Sequence, residues 1–131
     1  MNLNFLWATL LGGFLGSLAD WLFAGLLFHQ RYNRHPEVWR PGAGAIRSRI
    51  IIAQGLCLVT AGAFVALAVK LGQTDYVGAL KLAAMVWLIG PLPLLLANFL
   101  FIKIDPLVTA SHSAGWLVKL LLCGAAAALL L

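Results

Sequence analysis

Charge is scarce in this chain. Only 10% of its 131 residues are Asp, Glu, Lys or Arg, and just four of those are acids. An ordinary soluble domain carries about 25% charged residues, so a chain that is 63% apolar has too little polar surface to cover a water-facing fold. Cysteine is scarce as well. Cys57 and Cys123 each lie in an apolar segment with no neighbouring cysteine at a ligand spacing, which gives no support to a disulfide scaffold or a zinc site. Their expected role is packing as small apolar residues. A Cys/His metal motif, a Ser/His/Asp grouping and a glycine-rich phosphate loop are all missing. No cofactor or metal is expected: bis-histidine haem needs two ligands at one depth, and His29 and His35 fall at or beyond the membrane edge while His112 falls inside.

What the chain has is long apolar runs. A helix needs ~20 apolar residues to cross the hydrocarbon at 1.5 Å per residue, and four such runs are present, at about 5–28, 50–69, 78–102 and 107–131. They predict an all-α membrane protein forming a single domain. The first run resembles a secretory signal, with Ser17, Leu18 and Ala19 as a small-x-small site, but no Lys or Arg precedes it and it continues past that site, so a retained helix is expected. Pro36, Pro41, Gly42 and Gly44 break the segment 29–49 into a loop. Asp105 followed by Pro106 reads as a cap with proline at the first helical position. Short connections make successive helices antiparallel neighbours, giving an up-down-up-down bundle.

The formal charge of +5 is concentrated in the first loop, where Arg31, Arg34, Arg40, Arg47 and Arg49 face the single acid Glu37. Nucleic-acid binding needs a basic face on a water-exposed fold, so the excess of Lys and Arg is read as the cytoplasmic side of a membrane instead. The first and third loops hold six basic residues and the second connection two, Lys70 and Lys81, which puts loop 29–49 in the cytoplasm and both termini outside it. Tyr32 and Trp39 are expected as interfacial anchors, and Arg34, Trp39 and Arg40 as contacts for anionic lipid headgroups.

Ionisable residues inside lipid cost about 2.5 to 3.5 kcal/mol on insertion scales and turn towards the bundle or a cavity. Asp20 and Lys119 are two such residues, with His112, Asn98 and Gln54 as polar company. Asp20 lies nine residues from His29 and Lys119 fourteen from Asp105, a difference in depth of ~7 Å. Side chains lean towards their helix's N-terminus, so each leans towards the other, and an ion pair joining the first and fourth helices is predicted. Gly12 and Gly16 recur with Asp20 every four residues as a stripe for close helix contact. Two roles remain open for the pair, structural register and a proton or ion relay. Asn98 and His112 fall at similar depth, where both would line a small polar pocket. Pro91 and Pro93 kink the third helix and free carbonyls near Trp87 and Ile89, more often a bend than an ion site.

The stretch 78–130 resembles a family of small bacterial four-helix membrane proteins of unassigned function. The residues that carry the resemblance are the Gly- and Ala-rich third span with Trp87, the run from Leu96 through Ala97, Asn98, Phe99 and Leu100 to Phe101, and His112 followed by Gly115 and Trp116; Gly16 and the run from Trp21 to Phe28 match its first helix. The chain departs from the family in its longer arginine-rich loop and in Asp20 and Lys119. The resemblance implies a bacterial inner membrane and supplies no activity, ligand or catalytic residue. Two function classes follow from the residues: a small carrier, channel or proton-coupled component acting as a homo-oligomer or with a membrane partner, and a non-catalytic scaffold or accessory subunit.

Overall fold

A computed structural model of the protein describes residues 3–34, 36–38 and 46–131. Helix α1 (Leu3–Asp20) runs directly into a π-helical segment (Trp21–Leu27), followed by the short α2 (His29–Tyr32) and a 3₁₀ turn (Pro36–Val38). Then come α3 (Ile46–Lys70), α4 (Tyr76–Ile89), α5 (Pro91–Phe101) and α6 (Pro106–Leu130). The described residues thus form an all-α four-helix bundle. Its four candidate spans, Leu3–Leu27, Arg47–Lys70, Tyr76–Phe101 and Pro106–Leu130, are 24 to 26 residues long and apolar enough to cross a bilayer. Length and composition fit a multi-pass membrane protein.

Local chemistry explains the boundaries. Asp105 accepts a hydrogen bond from the Leu107 amide at 2.8 Å with Pro106 at the first helical position, as its sequence predicts. Asp75 caps α4 in the same way, accepting from the Gly78 amide at 3.0 Å, and so moves the start of the third span from 78 to Tyr76. At the end of α3, Gly72 takes φ of 64°. The Gln73 amide donates to the Ala68 carbonyl at 2.9 Å and the Gly72 amide to Val69 at 3.1 Å, the paired bonds of a Schellman turn, for which a left-handed residue is required. Helix α3 begins at Ile46 rather than 50, so Arg47 and Arg49 belong to its first turn, where long stems let charged heads reach the interface. The third span breaks at Gly90, whose φ of −115° and ψ of −89° leave the helical region, and α5 restarts on Pro91.

Helix α6 occupies the centre, packing on α1, α3, α4 and α5. Neighbour relations therefore differ from chain order. Although a short turn joins α3 to α4, the two have little direct backbone contact among the described residues, and α6 lies against both. The reason is the small side chains of α6. A Cβ on Gly124 would stand 3.0 Å from the Ala79 carbonyl oxygen, and one on Gly12 of α1 would stand 3.3 Å from the Cys123 Cα. Two clusters make the core, one from Ala61, Phe64, Ala68, Leu82, Ala83, Leu120 and Cys123, the other from Ala8, Val65 and Ala127. The Trp87 indole N–H donates to the Ser113 carbonyl at 2.9 Å and ties α4 to α6.

Candidate functional site: an ion pair in a cleft

Glycine spacing on α1 brings the site together. In the half of the bundle far from the arginine loop, Gly12 and Gly13 let α1 close on α6 and α3, with Leu58 directly over Gly13. Gly16 leaves room for a long side chain: a Cβ there would stand 2.9 Å from Lys119 Cγ, so the lysine stem lies across the bare backbone of α1. Its ammonium reaches Asp20 Oδ2 at 2.6 Å and sits 4.4 Å from the centre of the Trp116 ring. The structure thus places Asp20 and Lys119 in direct contact across α1 and α6.

The two partners are unequally covered. The Lys119 side chain keeps 7% of its surface and Asp20 keeps 40%. Asp20 Oδ2 also accepts from the Cys57 thiol at 3.2 Å, so one carboxylate oxygen serves both Lys119 and Cys57. Oδ1 has no partner among the described residues. Cys57 thereby joins the site from α3, a role beyond the packing that its apolar surroundings suggest.

Beyond Asp20 the bundle opens. The chain leaves α-helical for π-helical geometry, and the Phe28 amide donates to the Phe23 carbonyl five residues back at 3.0 Å. The π segment stays against α6 but has little contact with α3, which packs on α1 above it. A cleft of about 320 Å³ lies between them. Asp20, Cys57, Thr60, Ser111, His112 and Lys119 supply its polar lining, and Phe23, Ala24, Ala53, Leu56, Gly115 and Trp116 complete its walls. Most belong to the half of the bundle nearer the arginine loop, with Thr60 and Lys119 just past the middle of their helices. Ser111 is fully buried, and its hydroxyl finds no hydrogen-bond partner among the described residues; nothing in its sequence setting singles it out.

Other expected residues stand elsewhere. Asn98 is half-buried on α5 and does not line the cleft that His112 lines. Once the chain breaks at Gly90, α5 packs on α6 and α4 and leaves the cleft to α1, α3 and α6. Gln54 is likewise half-buried beside the cleft residues of α3 without lining it. Arg34 is exposed, and Trp39 and Arg40 lie outside the described residues. Arg31 approaches Asp105 at 3.9 Å, fastening the first loop to the start of α6.

Chemically, the arrangement holds one buried cation against a carboxylate that is still reachable. Fold and cleft together define a small α-helical multi-pass membrane protein with an ion pair inside its spans. No family model, curated protein or solved structure matches the chain.

Proposed function

We propose that this protein is a small proton-coupled carrier or channel component of a bacterial inner membrane, acting as an oligomer, with Asp20 and Lys119 as its ion-handling element. One observation carries the reading: Asp20 keeps 40% of its side-chain surface within a cleft, and an oxygen that no described residue engages, although it is already paired. A pair serving only as glue gains from complete coverage, because an exposed carboxylate inside lipid is costly. In the proposed orientation the arginine loop faces the cytoplasm and both termini face away, so the cleft opens towards the cytoplasmic half. Arg34, with Trp39 and Arg40, would meet anionic headgroups there. The Gly12 and Gly16 stripe is occupied within the monomer by Cys123, Ala61 and Lys119, so an oligomer would use other faces.

A second reading, a non-catalytic scaffold, draws support from the 2.6 Å contact and the burial of Lys119. Proton flux separates the two. In liposomes carrying a pH-sensitive dye, a pH jump should relax faster with the protein than without it. Asp20→Asn should slow that excess by at least about tenfold while circular dichroism shows the helices intact. Wild-type liposomes relaxing at the protein-free rate both alone and with a candidate substrate added would remove the carrier reading and leave the scaffold.

A further inference from the structure

The polar cleft has an apolar continuation. A second cavity of about 620 Å³ lies between α3, the Gly90 break and α6, walled by Phe64, Leu67, Val86, Pro91, Leu94 and Leu120 among others. It exists because α3 and α4 have little direct contact and because the third span breaks beside it. Thr60 and Trp116 line both cavities, so the two spaces adjoin. The groove lies near the middle of the spans and the cleft nearer the arginine loop. Side by side they offer a polar space and an apolar one whose shared wall is Thr60 and Trp116, together of a size that suits a drug-sized molecule if those two side chains turn aside.

Charge decides what kind of molecule. Lys119 is covered by Asp20 and by the Trp116 ring, so the charge presented to the cleft is the carboxylate, through an Oδ1 that no described residue engages. In the same cleft the buried Ser111 hydroxyl also lacks a partner among the described residues. An anion would face that carboxylate, and an inorganic cation would have no use for the groove. Resting on the carrier reading and naming its substrate class, we propose that the adjoining cleft and groove together bind a lipophilic organic cation, with its charged centre at Asp20 Oδ1 and its apolar body passing Thr60 and Trp116 to lie between Phe64, Leu94 and Leu120.

The same geometry supplies coupling. A second cation beside the pair would leave a net positive charge in a low-dielectric site, which is strongly unfavourable. Neutrality returns when one Lys119 N–H bond breaks, the electron pair stays on nitrogen and the proton leaves through the cleft. The incoming cation then replaces the ammonium as counter-ion of Asp20, one positive charge in and one proton out.

Tetraphenylphosphonium and its anionic isostere tetraphenylborate test this on the full chain in nanodiscs by calorimetry. Repeating each titration in buffers of different ionisation enthalpy counts protons. The phosphonium should bind saturably with release of about one proton, and more tightly than the borate. Asp20→Asn should weaken it at least about tenfold and Asp20→Glu by no more than about threefold. Leu94→Trp, filling the groove, should also cost about tenfold, whereas Leu100→Trp on the outer face of α5 should change nothing. No saturable binding, equal binding to Asp20→Asn, no effect of Leu94→Trp, or preference for the borate overturns the proposal. Phosphonium binding through Asp20 without any proton flux in liposomes, even when phosphonium is added, would retain the site and remove the carrier. Flux that depends on Asp20 without phosphonium binding would do the reverse.

Discussion

The same three helices, α1, α3 and α6, behave differently in the two halves of the bundle. In the half away from the arginine loop, Ala8, Gly12, Ala61, Val65, Cys123 and Ala127 present so little side chain that the backbones close and the space between them is filled. In the other half the π segment, the start of α3 and the start of α6 carry Phe23, Leu56 and Trp116, and they enclose a cleft instead. Lys119 bridges the halves: its backbone belongs to the closed part and its ammonium to the open part. Small residues hold the helices in register, which leaves the rest of their length free to stay apart.

Breaking the bridge should have the largest effect. Asp20→Leu leaves the ammonium of Lys119 buried without its counter-ion, a loss of about 3 kcal/mol, at the low end for a broken buried pair because the cleft reaches it. Adding Lys119→Met should recover most of that loss, as read by reversible unfolding in bicelles. The contrast between the halves comes next. Gly12→Leu meets the Cys123 backbone and should cost about 2 kcal/mol by overpacking. Ala53→Leu, grown into the cleft, should change stability by less than about 0.5 kcal/mol in the same assay. Equal costs at the two sites would mean that the cleft closes in lipid.

Smaller effects sharpen the picture of how α6 is held. Asp105→Ala removes both the cap of α6 and its contact with Arg31, and should cost about 1 kcal/mol, with faster amide exchange confined to the first turn of α6. Trp87→Phe deletes the bond to the Ser113 carbonyl and should cost about 0.6 kcal/mol, typical of a hydrogen bond between membrane helices. Neither change should alter the cleft.

Much of this is legible in the sequence, and the reasons are specific. Span length and apolarity located four helices to within a few residues, because hydrocarbon thickness is a hard constraint on length. Depth counting brought Asp20 and Lys119 together, because rise per residue is fixed. The same count could have found Cys57: it lies eight residues beyond Arg49, as Asp20 lies nine before His29, so the two share a depth. The apolar setting of Cys57 hid it. Asn98 misled for the opposite reason, since its depth is compatible with His112 but depth carries no information about azimuth, which the Gly90 break resets. The central place of α6 was also out of reach, because short turns fix helix direction and not which helix ends between the others. The π segment leaves no periodic signal in a stretch as uniformly apolar as Trp21–Leu27.

The bare backbone at position 16 has an evolutionary consequence. A methyl group there would stand 2.9 Å from Lys119 Cγ, so residues 16 and 119 are not free to drift independently. Among descendants of a common ancestor, a lineage that replaces the lysine with a shorter residue loses the reason for glycine at 16 and for an acid at 20. Lineages that keep one of the three should keep all of them. Correlated substitution at 16, 20 and 119, scored across related sequences, would therefore record the bridge as an inherited unit, and independent turnover at 16 would show that the lysine has another route to its partner.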